Sequence, residues 1–299
     1  MNKLLERLKN GEILIADGAI GTMLFERGLK SGECPEAMNL SRLDVLEDIA
    51  RLYLDAGADI IQSNTFGGSP LKLASYSLAD EAPLINRNAV SAVSRVVSGK
   101  AYVSASCGPC GQILKPYGDT DPEIVYKSFE IQMQAFFESG CDVICIETMM
   151  DLAEMLLALK AARKMAPGIP VMATMTFDAT PKGFFTIMGV TIEKAACTLE
   201  EAGADVIGSN CGNGIEDMIR IAREYRKHTT LPLIIQSNAG LPVIENGELV
   251  YPESPEFMAE KAKELVDAGV SIIGGCCGTG PAHIRAIRNS ISTFTECHK

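Results

Sequence analysis

A seven-residue pattern that recurs along the chain is the strongest constraint on its fold. Each copy reads acidic residue, small residue, glycine, any residue, Asp or Ser, and then two β-branched residues, and the copies lie at residues 55–61, 138–144, 201–207 and 267–273. A glycine of this kind ends a helix, and the apolar residues after it begin a buried strand. The chain therefore repeats the second half of a βαβ unit.

Further strand-like runs lie between the copies, at residues 13–16, 101–106, 170–176 and 232–236. Together they give eight alternations of strand and helix, which predicts a (β/α)₈ TIM barrel. An open, doubly wound sheet shows the same alternation, but no Gly-x-Gly-x-x-Gly fingerprint follows a strand here. No Pro/Ser-rich linker or change of composition divides the chain, so we expect a single domain over residues 1–299.

Helix starts are marked by capping residues. Ser41 is predicted to cap the helix that carries Val45, while Asp121 and Ser254, each followed by proline, are predicted to cap two later helices.

Charge and cysteine usage exclude several classes of protein. The net charge of −11 argues against nucleic acid or an anionic membrane surface as a partner. Residues 1–10 suit an amphipathic helix and not a signal peptide. Ten cysteines without an export signal indicate free or metal-bound thiols in a reducing compartment, so we expect a cytoplasmic protein.

Three cysteines follow predicted strands. Cys276 and Cys277 come after the apolar run 270–273, and Cys211 comes after the run 205–208. Three thiolates can fill three of zinc's four tetrahedral positions and leave one open, as in catalytic sites. From spacing alone, packing as small apolar side chains is an equally good interpretation. Because the carboxyl ends of barrel strands converge on one face, the placement favours zinc.

Other polar residues end or follow predicted strands and should meet on the same face: Asp17, Ser63, Asn64, Glu147 and Asn238. Asp17, Asn64 and Asn238 are also typical turn or capping residues. Glu147 closes an apolar run and is harder to explain as ordinary surface.

Six segments, in order along nearly the whole chain, carry a resemblance to a known family. They are Asp-Gly-Ala-Ile-Gly-Thr at 17–22, Ser-Asn-Thr-Phe at 63–66, Ile-Glu-Thr at 146–148, Asn-Cys at 210–211, Asn-Ala-Gly at 238–240 and Gly-Gly-Cys-Cys-Gly-Thr at 274–279. The chain resembles the homocysteine S-methyltransferase family, most closely the homocysteine-binding module of cobalamin-dependent methionine synthases.

This resemblance implies a zinc ion held by Cys211, Cys276 and Cys277. Homocysteine, or a similar small thiol, would take the fourth position, lose its proton near neutral pH and attack a methyl group to give methionine. In methionine-synthase-like relatives the asparagine that matches Asn238 can supply a carboxamide oxygen to zinc when substrate is absent.

An amino-acid substrate also needs partners for its charged groups. Glu147 and Asp17 are expected to meet the ammonium, directly or through the loop. The backbone N–H of Gly18, together with Ser63, Asn64 and Thr65, is expected to meet the carboxylate.

The resemblance implies methylcobalamin as the methyl donor. Because no Asp-x-His-x-x-Gly cobalamin signature surrounds any of the three histidines, this donor is expected to arrive on a separate corrinoid protein. Betaine-using relatives enclose a quaternary ammonium with aromatic residues, but this chain has no tryptophan and Thr148 follows the glutamate. S-methylmethionine and S-adenosylmethionine are alternative donors. The alternative to an enzyme is a non-catalytic zinc- or thiol-binding subunit of a methyl-transfer assembly.

The Cys-Gly-Pro-Cys segment at 107–110 matches a thioredoxin-type redox motif. Pro116 soon interrupts any helix that would follow it, so a turn after the third strand is the preferred interpretation of Cys107 and Cys110.

Overall fold

The computed structural model describes residues 3–245 and 248–297, so the predicted domain limits 1 and 299 lie outside the described residues. Eight parallel strands form one sheet in the order β1-β8-β7-β6-β5-β4-β3-β2, and a parallel bridge between Ala16 and Ile60 joins its two ends. The strands are β1 (Leu14–Ile15), β2 (Ile60–Gln62), β3 (Tyr102–Cys107), β4 (Val143–Met149), β5 (Val171–Met175), β6 (Val206–Asn210), β7 (Leu233–Ser237) and β8 (Val270–Gly275). The predicted barrel is confirmed, and β2, β4, β6 and β8 follow the repeated pattern.

Helices surround the strands. They are α1 (Lys3–Lys9), α2 (Ile20–Glu26), α3 (Met38–Ser41), α4 (Leu43–Asp55), α5 (Pro70–Ala74), α6 (Ala82–Val97), α7 (Pro122–Ser139), α8 (Leu152–Met165), α9 (Ile192–Glu201), α10 (Ile215–Arg226), α11 (Pro255–Asp267) and α12 (Pro281–Cys297). Short 3₁₀ turns cover Pro35–Ala37 and Ala79–Glu81. Among the described residues, no helix is both long and apolar enough to cross a membrane.

Two small antiparallel hairpins extend the loops that follow barrel strands. Asp178–Thr180 pairs with Gly183–Phe185 after β5, and Val243–Glu245 pairs with Glu248–Val250 after β7.

The barrel interior changes from apolar to polar towards the carboxyl ends of the strands. Leu4 and Leu8 of α1 belong to the same buried cluster as Val143 and Cys145 of β4. Side chains two residues apart on a strand point to the same side, so Glu147 follows Cys145 into the interior. The amino-terminal end is thus packed with apolar side chains, and polar groups concentrate at the opposite end.

Two of the three predicted caps are confirmed. The Asp121 side chain accepts from Glu123 N at 2.9 Å, and Ser254 Oγ accepts from Phe257 N at 3.3 Å. The prediction for Ser41 is wrong, because Ser41 is the last residue of α3 and Arg42 occupies the N-cap position of α4 without a side-chain capping bond.

Candidate active site

Three thiols meet at the carboxyl ends of β6 and β8. The Sγ atoms of Cys211, Cys276 and Cys277 lie within 4.8 Å of one another, and those of Cys211 and Cys277 are 3.9 Å apart. Sulfurs on a tetrahedral zinc ion with bonds of about 2.3 Å would stand roughly 3.8 Å apart. The spacing of the cluster therefore fits a zinc ion without rearrangement of the backbone.

The end of β7 holds both cysteine segments in place. Ser237 O accepts from Cys276 N at 2.7 Å, Gln236 O accepts from Cys211 N at 3.1 Å, and Cys277 O accepts from Ala239 N at 2.9 Å. Cys211 has a φ of 61°, in the left-handed region that few non-glycine residues adopt. The backbone is thus fixed before any ligand arrives.

Hydrogen bonds within the cluster shift the pKa values of its thiols in opposite directions. Hydrogen bonds from Cys211, then Cys276 and also the Tyr251 hydroxyl, lower the pKa of the Cys277 thiol to about 3. The same bonding to Cys211 and Cys277 raises the pKa of Cys276 well above its usual value. The cluster thus favours a thiolate at Cys277, which suits a cation-binding site.

The cluster lies at the wall of a cavity of about 260 Å³, smaller than the pockets that hold drug-sized ligands. The wall residues are Gly18, Ala19, Ile20, Gly21, Thr22, Pro35, Glu36, Gln62, Ser63, Asn64, Phe66, Ser106, Glu147, Thr148, Cys211, Gly275, Cys276 and Cys277.

Glu147 is a buried carboxylate that two side chains orient. Its Oε1 accepts a short hydrogen bond from the Ser106 hydroxyl, and its Oε2 accepts from Asn210 Nδ2 at 3.1 Å. Burial raises the pKa of Glu147 to about 7. The side chain thus stands at the wall of the cavity, near its ionisation point at neutral pH.

Asp17 does not line this cavity, although the sequence places it at a strand end. It is fully buried, its Oδ2 accepts from Gln62 N at 2.8 Å, and its backbone O accepts from Gly275 N at 2.9 Å. Burial, with a smaller contribution from Glu147, raises its pKa to about 8. Asp17 joins the ends of β2 and β8.

The residues predicted to bind a carboxylate divide into two groups. Gly18, Ser63 and Asn64 line the cavity, but Asn64 Nδ2 already donates to Pro35 O and to Asn39 Oδ1, each at 2.8 Å. Thr65 lies outside the cavity wall, where its hydroxyl donates to Ser106 O at 2.7 Å and bonds to Ser63 Oγ at 2.8 Å. Thr65 therefore supports Ser63 and the end of β3.

Gly18 needs its lack of a side chain. A Cβ at this position would lie 2.7 Å from Thr279 Oγ1 and 3.0 Å from the Tyr53 hydroxyl. Any larger residue would therefore clash with Thr279 or Tyr53, and glycine lets the backbone form this part of the cavity wall.

Asn238 lies beside the cysteine cluster in space, although it is distant from all three cysteines in sequence. It follows Ser237, which binds Cys276 through its backbone, and its own N donates to Asn213 O at 3.0 Å. Its Oδ1 is buried and has no hydrogen-bond partner within the described part of the chain.

Sequence reasoning assigned no role to Gln62, Ser106, Asn210 and Tyr251. The first three are polar residues in or at the carboxyl ends of barrel strands. A polar residue at such a strand end is a sequence signal that could have identified them. Tyr251 follows the second hairpin, and its ring lies against Gly278, where a Cβ would be 2.2 Å from Tyr251 Cγ. No sequence signal points to this contact.

Cys107 and Cys110 are fully buried and do not line the cavity. Cys107 Sγ lies 3.3 Å from Gln132 Oε1, and Cys110 N donates to Glu154 Oε1 at 2.7 Å. Burial raises the pKa of Cys110 to about 12 and that of Cys107 well above its usual value. Both thiols are thus protonated and enclosed, unlike reactive redox cysteines.

Comparison with known proteins extends these observations. The family model described as homocysteine S-methyltransferase matches residues 14–291. Methionine synthase from Mycobacterium leprae is 33% identical over 98% of this chain, and that from Mycobacterium tuberculosis is 33% identical over 94%. The chain spans 25% of the length of each of these two relatives.

Among solved structures, the metallated form of the homocysteine methyltransferase MmuM from Escherichia coli has a TM-score of 0.79. It is 18% identical, and the match covers 95% of this chain and 98% of that one. The carboxyl transferase domain of Rhizobium etli pyruvate carboxylase has a TM-score of 0.56 at 14% identity, and the match covers 98% of this chain and 50% of that one. At these identities both likenesses concern the fold.

Proposed function

The chain belongs to the homocysteine S-methyltransferase family, and from that premise we propose that it is a zinc-dependent enzyme that transfers a methyl group to the thiol of homocysteine to give methionine. The observation that carries this proposal is a three-thiol cluster in the wall of a small cavity that also contains a buried, oriented carboxylate. A passive metal site, the non-catalytic alternative, has no need of that carboxylate.

Cys211, Cys276 and Cys277 would hold the zinc ion, as their sulfur spacing supports, and the unpartnered Asn238 Oδ1 is a candidate fourth ligand when substrate is absent. When bound, zinc with three thiolates would lower the pKa of a substrate thiol and leave its sulfur nucleophilic.

Glu147 binds the substrate ammonium in this proposal. Ser106 and Asn210 fix the direction of its carboxylate before the ligand enters. The substrate carboxylate then faces the backbone of Gly18 and its neighbours and the Ser63 hydroxyl, since Asn64 Nδ2 and Thr65 are engaged elsewhere. Asp17 positions Gln62 and Gly275 by accepting hydrogen bonds from their backbone N–H groups, and it does not contact the substrate.

The apolar rim supports a donor that arrives on another protein. We use this name for the exposed apolar side chains in loops that follow β2, β3, β4, β5 and β7: Phe66, Ile113, Tyr117, Met150, Ile187, Met188, Leu241, Val243, Ile244 and Leu249. Exposed apolar side chains gathered in the loops at one end of a barrel are typical of a docking site. We propose methylcobalamin on a separate corrinoid protein as the donor, because a cavity of about 260 Å³ is too small to enclose a corrinoid together with homocysteine.

S-methylmethionine and S-adenosylmethionine are the second candidates, since Glu36, whose Oε1 accepts from Gly67 N at 2.6 Å, adds another carboxylate to the cavity wall. Betaine is less well supported in a chain without tryptophan. In each case the substrate sulfur bonds to the methyl carbon as the bond to the carrier breaks, and the carrier keeps the electron pair.

We further propose that residues 1–299 act as one homocysteine-binding unit in the cytoplasm. The nine described cysteines are free thiols, which supports a reducing compartment.

Parallel assays of methionine formation from homocysteine with free methylcobalamin, S-methylmethionine, S-adenosylmethionine and betaine test the proposal, with zinc measured on the same samples. We expect turnover with methylcobalamin and none with betaine. Absence of methionine with every donor, in protein that holds one zinc ion, would favour the non-catalytic subunit.

A further inference from the structure

Asn210 is the most heavily engaged side chain near the cavity. Its Oδ1 accepts from Thr148 N and from Thr174 Oγ1, each at 2.7 Å. The Thr148 N–H can only donate, so it fixes which end of the carboxamide is oxygen. The amide nitrogen therefore points away from Thr174, towards the cavity residues.

The amide nitrogen of Asn210 has more acceptors than hydrogens. Nδ2 lies 2.8 Å from Thr148 Oγ1, 3.1 Å from Glu147 Oε2 and 3.9 Å from Cys276 Sγ. A carboxamide carries two N–H donors, so one of the three acceptors must be served poorly. At 3.9 Å, the sulfur is that acceptor.

We propose that Asn210 is a positioning residue that couples the state of Glu147 to the sulfur of Cys276. This inference rests on the proposed function, in which Glu147 receives the substrate ammonium. A cation bound to Glu147 weakens the hydrogen bond that its carboxylate accepts from Asn210 Nδ2. The N–H that made this bond then turns towards Cys276 Sγ. Recognition of the amino group thereby changes the electron density at a metal ligand.

The surroundings restrict the carboxamide to this small rotation. Asn210 is fully buried at the end of β6, and the next residue, Cys211, is itself a cluster thiol. Thr148 has a φ of 58°, a strained conformation that its hydrogen bonds to Asn210 help to hold. Hydrogen bonds to metal-bound thiolates alter the properties of the metal, so even a small rotation is measurable.

The test uses the cobalt-substituted full chain and L-2-aminobutyrate, which is homocysteine with the thiol replaced by hydrogen. Calorimetry measures binding, and the thiolate-to-cobalt charge-transfer band reports on sulfur. An added N–H bond stabilises the sulfur lone pairs, so we expect the band to move to higher energy with 2-aminobutyrate but not with butyrate, which lacks the ammonium.

Two variants distinguish loss of the proposed coupling from a general disturbance of the buried site. Asn210→Ala should abolish the band shift and weaken 2-aminobutyrate binding by roughly 10-fold, because Glu147 loses a donor. Thr174→Val removes a contact on the opposite side of the same carboxamide and should keep the shift, with affinity within about 3-fold of wild type.

The outcomes are distinguishable. If wild-type protein fails to bind 2-aminobutyrate, the proposed substrate is wrong and the coupling falls with it. If it binds without a band shift, or if Asn210→Ala keeps the shift, the coupling is wrong while the proposed function stands. Failure to take up cobalt would overturn the metal site and this inference together.

Discussion

At the scale of single residues, Glu147 has no positively charged partner among the residues that the structure describes. Ser106 and Asn210 are its hydrogen-bond partners, and both are neutral. A buried carboxylate without a positive partner loses the solvation of water and gains no ion pair in return. A ligand ammonium would supply that missing charge.

Glu147→Gln should therefore weaken homocysteine binding by roughly 10- to 150-fold, because it keeps the shape but loses a charge-assisted hydrogen bond worth about 1.5–3 kcal/mol. Zinc content should stay near one per chain. Steady-state kinetics and metal analysis on the same samples measure both quantities.

A plain alkyl thiol provides the control, since it never contacts Glu147 through an ammonium and should lose much less affinity. An equal loss for both thiols would mean that Glu147 supports the fold or the metal instead.

Asp17 gives a prediction about stability and pH. Its folded-state pKa of about 8 lies above the usual 3.8, so its contribution to stability is complete below about pH 4 and is lost as the pH rises to about 8. The asparagine of Asp17→Asn cannot ionise. In this variant the free energy of unfolding should therefore fall less steeply with pH, by at most about 1.4 kcal/mol per pH unit. Urea unfolding of reduced, metal-free protein between pH 5 and 8.5 measures the slopes.

Glu147→Gln is the matched control in the same pH series. Burial raises the pKa of the Glu147 carboxyl only to about 7 from 4.5. The variant should therefore flatten the loss of stability less than Asp17→Asn does, and its effect should end at lower pH. Parallel curves for wild type and Asp17→Asn would mean that Asp17 is not an abnormal acid.

At the scale of elements, the repeated pattern was sufficient to predict the barrel and the strand ends that hold Cys211, Cys276, Cys277 and Glu147. Periodicity could do this because each glycine and apolar run is a local signal. Thr65 and Asp17 were harder to place, because their burial depends on neighbours distant in sequence, Ser106 and Gln62. Ser41 was assigned as a cap because a short helix before α4 leaves little trace in sequence.

The helix α1 closes the amino-terminal end of the barrel and is remote from the cavity. Leu4→Ala would remove a fully buried side chain from the interior cluster and should cost about 2–5 kcal/mol in the free energy of unfolding. Denaturant unfolding measures this change, and zinc content should be unaltered.

Leu5→Ala is the matched control on the same helix. Leu5 is only partly buried against the interior cluster, so Leu5→Ala should lower the free energy of unfolding less than Leu4→Ala does. A similar loss of free energy of unfolding in both variants would mean that α1 does not stabilise the barrel by filling its interior with Leu4.

At the scale of the whole molecule, the apolar rim places exposed side chains from five loops around one face. Ile187 and Ile244 are 73% and 78% exposed. Ile187→Glu and Ile244→Glu should each slow methyl transfer from a protein-bound donor by roughly 10-fold, because docking would bury a charge. Single-turnover rates with protein-bound and free methylcobalamin measure the difference, and the free donor should react as before.

Ile131→Glu provides a control on the outer surface, since Ile131 is exposed on α7. Equal slowing by this variant, or slowing with the free donor as well, would contradict docking at the apolar rim.

The left-handed conformations of Thr148 and Cys211 carry a consequence for engineering. Each departs from the backbone its residue type prefers, and glycine would adopt either with less strain. A search for heat-resistant variants would therefore be drawn to Thr148→Gly and Cys211→Gly. The second deletes a cluster thiol, and the first deletes an acceptor for Asn210. Ser77 and Ser98 share this conformation but lie outside the site, so glycine is better introduced there.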